Sequence, residues 1–502
     1  MCRSNAQSMT LYLDQARHLS SDPLEGPMVP FACTVRTGLR GRPRIEIDPN
    51  LLSTALGLRP KTQVAKTADC SARTIRRRQQ DYGILISRLN EQTGDQEAPA
   101  VTNDQLDQHL VTIIQDFPNF GRRLATASLR AIGVIVPEHR VRDSLARVNG
   151  TPGTFGGRRV HRRRYKVAGA NSLWHHDGQH GKRFCCLHQV GLWLRRRPGL
   201  IRWKIVIHAF IDGKTRLLVG IRAHDNNRAA TVLALFLDCI SAHGTPSRVR
   251  GDHGTENVKV AEWMEENRGP GRGSYIWGRL VCVFHSPRSI VLMVPTPRSV
   301  HNSRIERIWY DVTEGFGGKW KDFFIDLEAN YGLDVNSAAH IWLLHHLFLN
   351  AINQDATSWA ETWNSHKLQI RGEPQKTPQE MFFFSMLEDG PRGLNDELSQ
   401  GGGLGVDGED LTTFGIDWEE MDDERLMGHH YEHNPPDFDN PFATSPLTLS
   451  EVICTPPDCP FLAEGIHRLD LHLSQVVDLT SHSMLVRRAV WVQALHISTH
   501  LW

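Results

Sequence analysis

The chain has 502 residues, which is too long for one ordinary domain and predicts two to four. Its formal net charge of +1 does not by itself favour a nucleic-acid-binding protein. No apolar run reaches 18 residues and the N-terminus lacks a signal-peptide pattern, so we predict no membrane span. The nine cysteines form no Cys-x-x-Cys pair, which argues against a zinc module or disulfide scaffold and favours reduced thiols.

The charges are distributed unevenly along the chain. Residues 34–80 carry eleven Lys or Arg against three Asp or Glu, and residues 158–166 add six basic residues and no acid. Residues 387–440 reverse the sign, with sixteen acidic residues against two arginines. Blocks of this kind predict a phosphate-binding N-terminal part and an acidic C-terminal tail.

Residues 1–35 carry little pattern and are predicted to be disordered, and residues 36–90 form a basic segment followed by helices. In Arg-Gly-Arg-Pro-Arg, we expect Arg40, Arg42 and Arg44 to bind a minor groove as an AT-hook-like segment. A basic loop before a helix fits those five residues equally well. Asp48-Pro49 is typical of a helix start.

A helix over 62–67, a tight turn near 69–70 and a helix over 71–82 have helix-turn-helix spacing. A solvated basic helix is the alternative to a DNA-binding one. The residues expected to face a major groove are Arg73, Thr74, Arg77 and Arg78.

The middle of the chain changes from helical to mixed patterns. A polar linker precedes a second small helical unit at 103–150, and residues 151–170 form a basic linker that could follow a phosphate backbone. From residue 171 onward, residues 201–208 alternate with period 2, Asp212-Gly213 predicts a hairpin, and residues 229–242 and 258–267 are helical. Strands and helices in this order predict an α/β fold over 171–390.

Three acidic residues lie in separate motifs of this region. Asp177 is centred in WHHDGQH, Asp252 in RVRGDHGTEN, and Glu306 in HNSRIERIWYDV with Asn302 one helical turn before it. Mg²⁺ takes oxygen ligands and keeps open positions for water and phosphate. Two such ions about 4 Å apart can stabilise both the attacking and the leaving oxygen of a displacement. The three motifs therefore predict metal-dependent phosphodiester chemistry.

These motifs, together with IRWKIVIHAFIDG and GSYIWGR, resemble the integrase catalytic core, and more narrowly the integrase-core-domain proteins of fungal genomes that are similar to transposon and retroelement integrases. The resemblance implies a ribonuclease-H-like α/β fold: a mixed five-stranded sheet with flanking helices, preceded by a small all-α helix-turn-helix region and followed by a disordered acidic tail. It implies that Asp177, Asp252 and Glu306 are catalytic and hold two Mg²⁺ or Mn²⁺ ions, with Asn302 as a DNA-binding residue.

The same resemblance implies DNA as the partner, both element ends and target duplex, with no small-molecule substrate. It also implies a homo-oligomer, and we expect the protein in the nucleus. The implied function is DNA integration by metal-dependent strand cleavage and transfer. The alternatives are a catalytically inactive, domesticated integrase that binds DNA, and a nuclease for RNA–DNA hybrids, against which the helix-turn-helix pattern argues.

The spacing of the triad departs from the family. Between Asp252 and Glu306 lie 53 residues, and between Asp177 and Asp252 lie 74. Two segments of 19 residues each, 181–199 and 280–298, match no family pattern and account for the excess. We hypothesise that both are translated introns, which sequencing of the transcript tests. As real insertions they would be tolerated in loops, because loop closure entropy grows slowly with length.

Two further predictions concern the part of the chain after Glu306. Lys319 and Lys321 are expected to contact the DNA backbone, although simple exposed lysines fit as well. Glycine runs and acidic clusters predict that residues 391–502 form an acidic, mostly disordered tail.

Overall fold

A computed structural model provides the structure of the chain. It describes residues 31–36, 44–84, 101–118, 120–134, 136–149, 167–179, 199–269, 272–277, 303–368, 374–390, 392 and 452–500. Several predictions fall outside these residues: those for Arg40, Arg42 and Asn302, the basic linker up to residue 166, nearly all of both 19-residue segments, and the acidic stretch 393–451. Within the described ranges, no helix is long and apolar enough to cross a membrane.

The first unit combines a two-stranded sheet with three helices. Strands β1 (Ala32–Val35) and β2 (Arg44–Ile47) pair antiparallel, and helices α1 (Pro49–Leu58), α2 (Lys61–Thr67) and α3 (Ala72–Asp81) follow. The prediction of an all-α region is therefore wrong, and so is disorder for 32–35. Backbone pairing of β1 with β2 stabilises residues whose sequence alone carries little pattern.

Side-chain caps set the helix starts of this unit. The Asp48 carboxylate accepts hydrogen bonds from the backbone N–H groups of Asn50 and Leu51, both at 2.9 Å, and Pro49 occupies the first helical position. Ser71 likewise accepts from the Thr74 N–H and begins α3. These caps satisfy backbone donors that have no partner within the helix.

The second helical unit packs directly onto the rest of the protein. It consists of α4 (Asn103–Asp116), α5 (Arg122–Ala131) and α6 (Glu138–Asn149). Its fully buried Leu106, Leu110 and Leu129 belong to the same apolar cluster as the largest core of the chain. Because they share this cluster, the unit and the core bury their apolar surfaces against each other.

The core is a mixed sheet, confirming the expected ribonuclease-H-like α/β architecture. Its strands are β3 (Leu173–Gln179), β4 (Val206–Asp212), β5 (Leu218–His224), β6 (Arg248–Gly251) and β7 (Tyr275–Trp277). In the order β5-β4-β3-β6-β7, the first three strands pair antiparallel, and β3, β6 and β7 pair parallel. The carboxyl ends of β3, β6 and β7 therefore lie along one edge.

Helices cover both faces of this sheet. They are α7 (Ala229–His243), α8 (Val258–Arg268), α9 (Ser303–Val312), α10 (Gly318–Asn330), α11 (Ala338–Ser365) and α12 (Pro378–Glu388). On β4, Phe210 packs in the cluster of α7 and α8, whereas Ala209 and Ile211 pack in the cluster of α9 to α11. This alternation is what strand geometry imposes on a sheet buried on both faces.

The C-terminal segment ends in two packed helices, α13 (Ala463–Val476) and α14 (Met484–His500). Leu469, Leu473 and Trp491 are fully buried in the cluster that also contains α10 and α11, and the Trp491 indole N–H donates to the Tyr331 carbonyl at 2.9 Å. The prediction of a mostly disordered tail is wrong for 452–500, because these helices bury apolar residues against the core.

Candidate active site

Asp177 and Asp252 lie side by side where two parallel strands end. Strand β3 pairs with β6 at an offset of 75 residues, with Leu173 beside Arg248 and His175 beside Arg250. Extended by two residues, the same offset aligns Asp177 with Asp252, which directly follows the last residue of β6. The charge of Asp252 acts on the Asp177 carboxyl, in agreement with this alignment. Neighbouring strands are about 4.8 Å apart, and residues in register point to the same face. The pairing of β3 with β6 thus brings two carboxylates together from positions far apart in sequence.

Glu306 reaches the same place from helix α9. Its side chain is buried, and Trp309, one turn later on the same helix, donates its indole N–H to the Asp177 carboxylate at 3.0 Å. Residues three apart on a helix share a face. The contact therefore places Glu306 on the side of α9 that faces β3.

The electrostatics of Asp177 report the proximity of all three acids. Its pKa is raised well above the usual range, first by burial and then by the negative charges of Asp252 and Glu306. Hydrogen bonds from Trp309 and from the Gly178 N–H act in the opposite direction. A buried carboxylate beside two others is costly to ionise unless positive charge is supplied. The arrangement therefore favours a bound cation.

The five residues between Asp252 and α8 contribute two side chains that the sequence patterns did not mark as functional. The fully buried Asn257 amide donates to the Asp252 Oδ1 at 2.7 Å and to its carbonyl at 3.3 Å. The carboxyl of Glu256 is also buried, and its pKa is raised to about 8 by burial and by the charge of Asp252. Both residues stand in the DHGTEN motif, of which only the aspartate was predicted to be catalytic.

The glycine in this loop lies under the buried carboxyl. A Cβ at Gly254 would be 2.2 Å from the Glu256 Oε1, so any larger residue would displace that side chain. On the neighbouring strand β7, the Tyr275 hydroxyl would be 2.0 Å from a Cβ at Gly251. The pKa of Tyr275 is raised by burial and by the charges of Asp252, Glu256 and Asp177. Close approach to a side chain thus explains both glycines of RGDHG.

The donor set fits a hard divalent cation, since all three side chains of the triad offer carboxylate oxygens. In the ranges that the structure describes, no three His, Cys, Asp or Glu side chains converge as a ready-made metal-binding group. Asp177 accepts hydrogen bonds at both oxygens, from Trp309 at Oδ2 and from the Gly178 N–H at Oδ1, and Asp252 Oδ1 accepts from Asn257. Each carboxylate oxygen has a second lone pair that can bind a cation. The carboxylates are thus gathered at one edge, and their oxygens are the candidate ligands.

Comparison with protein families agrees with this geometry. The family model described as integrase core domain matches residues 164–292 and 288–393, a region that contains all three acids. Residues 164–393 are thus similar to the integrase core domain family over a little less than half of the chain. The two matched ranges overlap at residues 288–292. This overlap lies inside the segment 280–298, which the spacing of the triad had marked as an excess.

Comparison with solved and curated proteins adds little to this family match. A similar solved chain belongs to the cryo-EM structure of the simian T-cell lymphotropic virus intasome in complex with PP2A regulatory subunit B56 gamma. The two chains are 13% identical over 51% of this chain and 70% of that chain, with a TM-score of 0.23. No curated protein matches the sequence.

The residues of α3 that were predicted to bind DNA lie outside the residues matched by the family model, 164–393. On α3, Arg73 and Arg77 are exposed, whereas Thr74 is half-buried with its hydroxyl 2.9 Å from that of Ser71. Arg78 differs from the prediction, because its side chain is buried and paired with Asp81. The helical repeat turns every third or fourth residue inward, and Arg78 lies one turn after the buried Ile75.

Three other predicted contacts are engaged within the protein. Arg44 belongs to β2 and pairs with Glu46 at 3.2 Å, so it is part of a strand and not of a flat AT-hook-like segment. The Lys319 ammonium is 2.9 Å from the Asp355 carboxylate, with both side chains about 95% buried. Lys321 is only 7% exposed. The prediction that these two lysines contact a DNA backbone is therefore wrong for this structure.

The first unit is fixed to α12, near the C-terminal end of the core. The Arg59 guanidinium pairs with Glu380 at 3.0 Å and with Glu388 at 2.6 Å, both on α12. It also lies 3.4 Å from the centre of the Phe384 ring, which is fully buried among the residues of the first unit. These contacts hold α3 and its exposed arginines at a defined position relative to the core.

Proposed function

We propose that this protein cleaves and joins DNA strands by a DDE-type reaction in which Asp177, Asp252 and Glu306 are the catalytic acids. The observation that carries the proposal is the pairing of β3 with β6, which sets two aspartates side by side with Glu306 facing them from α9. The integrase core domain family supports the reaction class. Strand cleavage and strand transfer would be the same displacement with water or a DNA 3′-hydroxyl as nucleophile.

The cofactor proposed is a pair of Mg²⁺ or Mn²⁺ ions held by the three carboxylates. When bound, the ions would lower the pKa of the attacking hydroxyl and neutralise the charge on the leaving oxygen. The residues of the chain supply the rest. Asp177 and Glu306 are 6% and 4% exposed, so bulk water is largely excluded and electrostatic interactions at this edge are strengthened.

The DNA-binding surface proposed is the exposed side of α3, with Arg73, Arg76 and Arg77. Arg76 was not among the predicted residues but shares their exposure. Their charges would contact phosphates of element ends or target duplex in the nucleus, and affinity would fall steeply with salt. A homo-oligomer is part of the same proposal, because two DNA ends must be held for joining.

The test is nicking and joining of supercoiled plasmid in Mn²⁺ at low salt. We expect metal-dependent products from the whole chain and none from Glu306→Gln. A matched control is Glu328→Gln, a change of the same chemistry at a residue that pairs with Arg202 on the surface. Products that persist in Glu306→Gln, or that disappear equally in both variants, would refute the role of the triad.

A DNA-binding protein without catalytic activity is the second candidate. It is favoured by the 19-residue segment 280–298, which lies immediately before the helix that carries Glu306. The same plasmid assay on a chain lacking 181–199 and 280–298 separates the candidates. Activity recovered by the deletion supports the triad and the intron hypothesis. Continued inactivity with intact DNA binding supports the second candidate.

A further inference from the structure

Trp309 contacts the triad through a single polar atom. Its indole N–H donates to the Asp177 Oδ2 at 3.0 Å, and the ring is 3% exposed within the apolar cluster beneath α9. Glu306 precedes it by three residues on the same helix. A hydrogen bond at this point fixes both the rotation of the Asp177 carboxylate and the axial position of α9 against β3. The location of the Glu306 carboxylate follows from that position.

Asn257 makes an equivalent contact with the second aspartate. Its amide donates to the Asp252 Oδ1 at 2.7 Å and, more weakly, to the Asp252 carbonyl at 3.3 Å. The backbone N–H of Asn257 donates to the Gly254 carbonyl at 3.2 Å, which closes the turn between strand and helix. Since the residue is fully buried, its side chain has little freedom to leave this geometry.

We infer that Trp309 and Asn257 are positioning residues, which orient Asp177 and Asp252 so that lone pairs of their carboxylate oxygens face a bound cation. The inference rests on the proposed function. An ionised carboxylate has about four acceptor sites. At Asp177 the Trp309 indole and the Gly178 N–H use two of them, and at Asp252 the Asn257 amide uses one. These donors set the direction of the acceptor sites that are left. Partners of metal ligands commonly affect metal affinity by 10–100-fold when they are removed.

The chain contains a matched control for the tryptophan. Trp320 on α10 also donates its indole N–H to a buried aspartate, Asp355 Oδ2, at 2.8 Å. Neither residue of this pair belongs to the triad. Trp309→Phe and Trp320→Phe therefore each remove one tryptophan–aspartate hydrogen bond and keep an aromatic ring. A purely structural role for Trp309 predicts that the two variants behave alike toward metal.

The experiment measures Mn²⁺ binding to the DNA-free chain by recording the electron paramagnetic resonance signal of the unbound ion. Thermal melting of each metal-free variant checks that it is folded. We expect Trp309→Phe to weaken Mn²⁺ binding by roughly 10–100-fold, and Trp320→Phe to leave it within about twofold. Asn257→Ala is a second, independent variant that removes the hydrogen bond to Asp252, and we expect it to weaken Mn²⁺ binding by a similar factor. In the plasmid assay, excess Mn²⁺ should restore part of the activity lost in Trp309→Phe.

The outcomes separate this inference from the proposed function. If both positioning variants bind Mn²⁺ like the unchanged chain and melt cooperatively, the inference is overturned. If the unchanged chain binds no Mn²⁺, the inference and the proposed function are overturned together. Weaker Mn²⁺ binding in the two variants of a chain that never cleaves DNA would support the inference and refute the proposed function.

Discussion

Removal of the Lys319 charge should unfold the protein more easily and leave its DNA contacts unchanged. In Lys319→Met the Asp355 carboxylate loses an ammonium at 2.9 Å while remaining 96% buried. Removing one partner of a buried ion pair typically costs 3–5 kcal/mol. Asp355 keeps a hydrogen bond from Trp320 at 2.8 Å and has Arg487 at 3.8 Å, so we expect the lower end, about 3 kcal/mol.

The assay has two readouts, urea unfolding and the salt dependence of DNA binding. A residue that neutralises one phosphate changes the slope of log K against log salt concentration by about 0.9. We expect no such change for Lys319→Met. The exposed Arg77→Ala should give the opposite pattern, with a shallower slope and stability within about 0.5 kcal/mol of the unchanged chain. An unchanged unfolding free energy with a slope reduced by about one would refute the buried-pair interpretation.

Three further predictions follow from buried groups and close contacts. Burial lowers the pKa of His208 to about 3 and of His224 to about 4, so the unfolded chain binds protons first. The stability contributed by keeping these two histidines neutral is therefore fully present above pH 6.5 and is lost as the pH falls toward 4. These two histidines should each contribute a loss of about 2 kcal/mol between pH 7 and pH 5 in urea unfolding, and His208→Gln should reduce the total loss by about 2 kcal/mol. Gly254→Ala should weaken Mn²⁺ binding, because its Cβ would lie 2.2 Å from a buried carboxylate oxygen. Gly57→Ala, with open space around the added Cβ, should instead raise the melting temperature. Deletion of 452–502 should lower the free energy of unfolding and expose apolar surface that binds a hydrophobic dye; an unchanged urea midpoint would contradict the packing of those helices.

The sequence could predict Asp177 and Asp252 as site residues because each stands near the end of a strand pattern with glycine close by. Their adjacency required the strand order, which no local pattern encodes. Trp309 is part of the quoted motif HNSRIERIWYDV, but no sequence pattern marked it as a hydrogen-bond donor to Asp177. Its hydrogen bond to Asp177 depends on how α9 docks on β3.

Other errors arose from tertiary contacts that override local patterns. The period-2 pattern starting at Ile201 predicted a longer strand, but residues 200–203 form a 3-10 turn that ends at Lys204 with φ 56°. Lys319 is basic and follows two glycines, as a surface residue often does, yet its partner Asp355 lies 36 positions later in the chain. Residues 463–500 follow an acidic stretch, and they were predicted to belong to the same disordered tail although they form two helices.

The shared apolar cluster determines the order in which this protein can mature. Its members include Leu110 from before the residues matched by the family model and Trp491 and Ala494 from far beyond them. Domains generally fold as units during synthesis, starting from the N-terminal side. Here the helices of the core keep an uncovered apolar face until residue 494 has been made. That face therefore stays exposed on the growing chain while the whole acidic segment is translated, and transiently exposed apolar surface is prone to aggregation.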